Sequence, residues 1–486
     1  MANLMQLNCD DMLNKTEEMA EMIIREMFKF NQTYSINMSE ADIEDGMPIW
    51  YILDEFGSYV RHNDSPNFKM VPFYFITAGC AFSLLFPLRD VGFSEEVTRD
   101  YLGNSKYHKP EWRQYYMLPW KPRNFADSTM DFYEHGIDFF KAHHEGEYIP
   151  DQPPPQPTFN CSGRTLKVYS QYNKVNTFLT NKSFEITDDK DLADVLWLTT
   201  HFKDFRTLAA TRTTTFVNQF PFENVLTVKD LLAAVIHLAH PNEKFDRESM
   251  ECNPRWFPIT YNLRTELPRF VAHYQQREMR ELDNHWIIKP WNLARGLDTF
   301  LTRDLNAIIR SIETGPKSVQ PLKAYVYNNF WICFANKPFS LDHLDDYEKH
   351  FTLMNYLGDD NKILQMYSDD FIKQFENMYP GFSWSRIQGQ IYDVLKRSLT
   401  AACHLQPPRG LLNNPQSRAM YGVDVMLSWE SSDMNSGVKK IQPVLLEYNF
   451  MPNCKRACEY YKDFMNVVFD TLFLDGTENN QSVTML

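Results

Sequence analysis

Apolar residues recur with a helical period near the start of the chain, at Met12, Leu13, Met19, Met22, Ile23 and Met27 with acids between them, and predict a short amphipathic helix. From Pro48 the pattern becomes strand-like. Residues 50–60 (WYILDEFGSYV) and the uncharged run 70–88 (MVPFYFITAGCAFSLLFPL) flank a turn-rich HNDSPN at 62–67. The uncharged run has the length of a membrane span. Pro72 and Pro87 interrupt it, however, and Gly79, Ser83 and its β-prone residues predict two buried strands instead of one long helix.

The sharpest break in the pattern is EGEYIPDQPPPQPTFNCSGR (145–164), where Pro150, Pro153, Pro154, Pro155 and Pro157 preclude a helix and favour extended geometry. It reads as an interdomain linker. Beyond it strands and helices alternate: strands at LKVYS, VLWLTTHF and HWIIK, a helix after Thr227, and helical periods at Leu301, Leu305, Ile308 and Ile309 and at Ile387, Ile391, Val394, Leu395 and Leu399. That alternation indicates an α/β or α+β second region after a mostly β first one, and the chain as a whole is taken as α+β.

Composition narrows the classes of function. Of 486 residues, 43% are hydrophobic and 15% aromatic, ample for buried cores. The net charge of -14 argues against covering nucleic acid backbone, so no sequence-specific nucleic acid partner is expected. The eight cysteines are scattered without a CxxC pair, and the opening residues show no apolar signal segment, which fits a reducing, cytosolic or nuclear setting. Cys454 and Cys458 could share a helical face, but no finger-like partner pair accompanies them.

Three elements could carry chemistry. In VLLEYN (444–449) strand alternation puts Glu447 and Asn449 on one face, as hard cations such as Mg²⁺ prefer, and Asp424 in YGVDVML (421–427) is a third ligand if the two strands pair. Ordinary polar faces on half-buried strands would read the same way. In WIIKPWNLARG (286–296) the strand-end Lys289 precedes a loop with Arg295 and Gly296, a reasonable phosphate site, although strand-end lysines are usually just solvated.

Together, KPWNLARG, YGVDVML and LLEYN, in that order, resemble the tubulin tyrosine ligase-like family, whose catalytic domain is an ATP-grasp fold. VNQFPFENVLTVKD (217–230), YNLRTELPRF (261–270) and DDYEKHFTLMNY (345–356) strengthen the resemblance. HNDSPN and LRDVGFSEEVTRDY (88–101) resemble parts of a SET-like region, although the favoured reading of His62 and Tyr101 is that they are simply turn and strand residues. The front of a SET fold that helps bind S-adenosylmethionine is not visible, so that cofactor is not expected. The resemblance implies a SET-like region at 1–144, the linker at 145–164, an ATP-grasp-like ligase domain at 165–475 and a flexible tail at 476–486. The ending VTML also has the form of a carboxylate motif that joins a PDZ sheet edge.

Carried over by position, the resemblance implies that Lys289, Lys229, Arg295 and Gly296 contact ATP phosphates while Asp424, Glu447 and Asn449 hold Mg²⁺. Departures accompany these matches. Leu297 and Asp298 follow Gly296 where the family continues with glycine, and the charge of Asp298 weakens anion binding. In YNNFWIC, Phe330 and Cys333 stand at the positions of the family's acceptor-holding glycine and arginine, and a cysteine cannot make the bidentate contact. The chain also runs from Lys317 straight to Ser318 where the family inserts an adenine-holding hinge and an Asp-x-Arg strand. Weak or absent ATP binding is therefore expected. The resemblance then implies a degenerate ligase that regulates by binding tubulin or microtubules, with histone tails as a further partner. The alternative is an active ATP- and Mg²⁺-dependent ligase. The expected location is the cytoplasm, with the nucleus, centrosome and spindle as further sites.

Overall fold

The computed structural model describes residues 23, 27, 29–34, 49–75, 77, 80–103, 109–128, 134–141, 146–152, 154, 164–240, 250, 254–289, 299–311, 324–352, 365–430, 440–474 and 482–486. The amphipathic helix expected at 12–27 falls almost wholly outside them. Two compact units divide the chain. The first joins Met1–Asp131 to Leu263–Ile288 and Phe300–Thr314, and the second takes Phe132–Asn262, Lys289–Thr299 and Gly315–Leu486.

The first unit therefore does not end at the linker, as the sequence suggested, but recruits two later segments. Arg310, in the helix Leu305–Arg310, explains part of this: its guanidinium donates to the Asn31 backbone oxygen and side chain and stacks 5.0 Å over Trp120. Burial lowers its pKa to about 10. The Gln275 side chain, in the helix Leu263–Met279, likewise accepts from the Phe125 N–H at 2.6 Å.

The uncharged run forms two strands, Phe68–Phe75 and Cys80–Pro87, paired antiparallel. They are not buried as expected. Phe73, Phe75, Phe82 and Phe86 are each more than 40% exposed. The expected strand 50–60 also divides. Ile49–Ile52 is a strand, but the Asp54 carboxylate accepts from the Gly57 N–H at 2.7 Å and starts the helix Glu55–Tyr59. His62 and Tyr101 come together: the buried His62 ring lies 5.2 Å from the Tyr101 ring and accepts from its backbone N–H through Nδ1. Burial is the main cause lowering the His62 pKa.

The second unit is built on a four-stranded parallel sheet ordered Phe216–Val217, Val195–Trp197, Leu166–Ser170, Phe184–Ile186. The helix Phe464–Phe473 supplies its cover. Phe469 is fully buried, with its ring 4.8 Å from Trp197 and 5.3 Å from both Phe184 and Phe473. A second core forms where the helix Lys229–Ala239, apolar through its middle, packs against Val394, Leu399 and Leu445.

The proline-rich segment is docked where it is described. Tyr148 exchanges backbone hydrogen bonds with Lys203 and Arg206, and the Glu147 carboxylate accepts from the Phe222 N–H at 2.9 Å. The expected flexible tail is ordered at its end. Val483–Met485 pairs antiparallel with Tyr325–Tyr327, the Thr484 hydroxyl donates to Asn328, and Leu486 packs on the second core. In the expected helix near 301–309, Leu301 instead belongs to the strand Phe300–Thr302, which pairs with Trp286–Ile288.

Because Phe469 joins the sheet to its covering helix, Phe469→Ala should destabilise the second unit by about 3–5 kcal/mol. Urea unfolding followed by tryptophan fluorescence should show the lowered midpoint. A midpoint unchanged from the parent protein would contradict this packing.

Candidate functional site

The late strands Tyr421–Glu430 and Lys440–Phe450 pair antiparallel along their whole length. Their register sets Asp424 opposite Glu447 and Gly422 opposite Asn449, with an irregularity just after Asp424. Since alternate residues share a face, Asp424, Glu447 and Asn449 converge. The Asn449 amide nitrogen lies 3.4 Å from both the Asp424 and Glu447 carboxylates. Gly422 admits the returning chain, because a Cβ there would lie 2.7 Å from that of Pro452.

Two lysines face this cluster. Lys229 begins the buried helix Lys229–Ala239 and places its Nζ 3.3 Å from the Glu447 carboxylate. Lys289 follows the strand Trp286–Ile288; burial lowers its pKa, Glu447 and Asp424 oppose that shift, and Lys229 adds to it. Asp424 is exposed at the strand surface, yet the protein mass around its carboxyl and the neighbouring Glu447 charge push it up to about 6. Solvent screening works against that shift. Arg295 and Gly296 lie outside the described residues.

Two carboxylates and an amide, without a thiolate, suit a hard cation such as Mg²⁺. The residues present fit that ion: Asp424 and Glu447 would ligate it, and Asn449 would join by turning its amide oxygen inward. A bound cation would supply charge neutralisation for phosphate oxygens. Lys229 provides the positive complement that the structure itself contains. Cys454 and Cys458 instead belong to an apolar core, and burial pushes their thiols up to about 12 and about 11. Among the described residues, no three or more His, Cys, Asp or Glu side chains gather as a metal site.

Sequence reading overlooked Glu223. It is buried, accepts from the Tyr421 hydroxyl at 2.8 Å and from the Phe220 N–H, and is driven up to about 7 by burial. Tyr421 opens the strand that carries Asp424, so Glu223 is a positioning residue for that carboxylate. An acid three residues after Phe220 in a run of apolar residues was the available signal. Of the departures, Phe330 stacks 5.0 Å from Trp384 in an aromatic cluster with Phe371, Cys333 ends the strand Trp331–Cys333, and Leu297, Asp298, Lys317 and Ser318 lie outside the described residues.

The model of the tubulin-tyrosine ligase family matches residues 207–320 and 316–483, more than half of the chain. The chain belongs to the tubulin-tyrosine ligase family. A tubulin tyrosine ligase SET-like domain model matches residues 1–124, so a SET-like region precedes the ligase-like domain. The two ligase-family stretches meet at 316–320, around Lys317 and Ser318.

Tubulin–tyrosine ligase-like protein 12 of Mus musculus is 40% identical over 99% of this chain and 77% of its own length. That of Homo sapiens is 41% identical over 98% and 76%. The alignment to the mouse protein spans 510 positions against 486 residues, so at least 510 minus 486, or 24, positions have no residue here. A more distant member, the probable tubulin polyglutamylase TTLL2 of Mus musculus, is 23% identical over 54% of the chain and 52% of its own length. Among the described residues no helix is long and apolar enough to cross a membrane.

The Asp424 pKa lies above its ordinary 3.8, so as pH falls the folded protein takes up this proton before the unfolded chain does. The ionised form therefore opposes folding above about pH 6. Asp424→Asn should raise the thermal unfolding midpoint at pH 7.5, with the gain fading between about pH 6 and 4. Scanning calorimetry across that range checks this, and a variant less stable at pH 7.5 contradicts it.

Proposed function

We propose that this chain is a catalytically degenerate member of its family that binds the acidic tails of tubulin, in the cytoplasm, and regulates their modification. The observation that carries this reading is the segment ending at Cys333. Phe330 fills its position with a ring held in an aromatic cluster, and Cys333 offers a thiol, raised in pKa chiefly by burial, where the resemblance implies an arginine. A thiol supplies no bidentate cationic contact to orient an acceptor carboxylate for reaction.

The described strands near the proposed nucleotide site support the same reading. Tyr325–Tyr327 pairs with Val483–Met485, Trp331–Cys333 with Gln365–Tyr367, and Tyr421–Glu430 with Lys440–Phe450, each as a two-stranded ribbon among the described residues. The junction of Lys317 and Ser318, where the resemblance implies an inserted hinge, precedes these ribbons. The relatives' names extend the reading to tubulin and give no support to histone tails.

A second reading, an active ATP- and Mg²⁺-dependent ligase, is favoured by the Asp424, Glu447 and Asn449 cluster with its two lysines. Calorimetric titration with Mg-ATP separates the two. The expected result is no micromolar binding, and no incorporation of labelled tyrosine or glutamate into purified tubulin above a Glu447→Ala control. Micromolar affinity lost in Asp424→Ala and Glu447→Ala, together with incorporation, would establish the ligase instead.

A further inference from the structure

Arg456 is half-buried in the short helix Lys455–Tyr460, yet its guanidinium makes no hydrogen bond or ion pair among the described residues. A chain with 63 acidic against 49 basic residues has no shortage of carboxylates for such a group. A partly covered arginine without a counter-ion loses hydration without compensation, so its free donors are available to a ligand.

Its surroundings are defined by packing. Arg456 and Tyr460 are four residues apart and share one helix face, and the Tyr460 ring packs 4.6 Å from that of Tyr367. Tyr367 pairs with Trp331 in the ribbon whose other end sets Gln365 opposite Cys333. That ribbon thus brings Cys333 and Arg456 to the same neighbourhood. The Cys333 thiol feels burial first, which raises its pKa, then the Arg456 guanidinium, which lowers it, and the Asp424 carboxylate, which raises it. The chain leading into the helix is fixed by Pro452 against Gly422 and by the Tyr172 hydroxyl, which accepts from the Cys454 N–H at 2.8 Å.

We propose that Arg456, on the helix that packs against the Cys333 ribbon, grips a carboxylate of an acidic peptide tail. A guanidinium matches a carboxylate in planar, bidentate fashion. Lys229 and Lys289 already face the carboxylate cluster, whereas Arg456 lies on the helix that packs against the Trp331–Cys333 ribbon through Tyr460 and Tyr367. The inference rests on the tail-binding reading above and names a residue through which binding occurs. It replaces the cation that Cys333 lacks with one from a different element. Exposed Lys455 adds a second positive charge at the same helix end.

The test uses the full chain and a fluorescent oligoglutamate peptide with a free terminal carboxylate, followed by anisotropy. Arg456→Ala should weaken binding by about tenfold or more, and Arg456→Lys should recover part of it by keeping the charge without the fork. Saturating peptide should slow alkylation of Cys333, resolved by mass spectrometry, while Mg-ATP should leave it unchanged. Two outcomes would overturn the inference alone: a parent protein that binds the peptide but no more tightly than Arg456→Ala does, or unaltered Cys333 alkylation at saturation. Absence of peptide binding by the parent protein would overturn the tail-binding reading with it.

Discussion

The antiparallel register between Tyr421–Glu430 and Lys440–Phe450 is the constraint on which the candidate site depends. A shift of one residue would turn Asp424 away from Glu447 and Asn449. Several contacts hold the register. The buried Glu223 fixes the start of one strand through Tyr421, Leu445 donates its backbone N–H to Trp256, and the Tyr448 hydroxyl meets that of Ser398 at 2.7 Å. The close pass of Pro452 over Gly422 then sends the chain into the helix bearing Arg456. The carboxylates, the amide and the helix bearing Arg456 thus owe their positions to one strand pair and its exit.

The charges around that pair divide into two sets. On one side Lys229 and Lys289 oppose Asp424 and Glu447, an arrangement suited to a cation and phosphate groups. Around Cys333, burial and the Asp424 carboxylate raise the thiol pKa while the Arg456 guanidinium lowers it, and Phe330 is held against Trp384. Holding a charged tail and aligning it for attack are separate demands. A single flexible cation can meet the first, whereas the second requires several fixed contacts within a few tenths of an ångström.

Much of the site was legible because it is written in local alternation. The facing of Glu447 and Asn449 followed from the strand alternation of LLEYN alone, and YGVDVML offered one carboxylate in an apolar run. Glu223 and Arg456 were not legible in that way. Glu223 meets Tyr421 far along the chain, and the helix bearing Arg456 meets the Trp331–Cys333 ribbon through Tyr460 and Tyr367. The discontinuous first unit was hidden for the same reason, since Arg310 meets Asn31 across most of three hundred residues. The hairpin at Phe68–Pro87 shows a different limit: an uncharged run identifies strands but does not say whether they are covered. The tail read as flexible because its ending is short, while its pairing with Tyr325–Tyr327 is decided by a distant partner.

The net charge of -14 gives no long-range attraction toward an acidic partner, so binding has to come from a local cationic surface. Co-sedimentation with microtubules, intact or with their acidic tails removed by limited proteolysis, tests that account most directly when done without nucleotide. The account predicts that the chain pellets with intact microtubules and not with tail-free ones, unchanged by Mg-ATP. Equal pelleting with both, or pelleting that requires Mg-ATP, would contradict it.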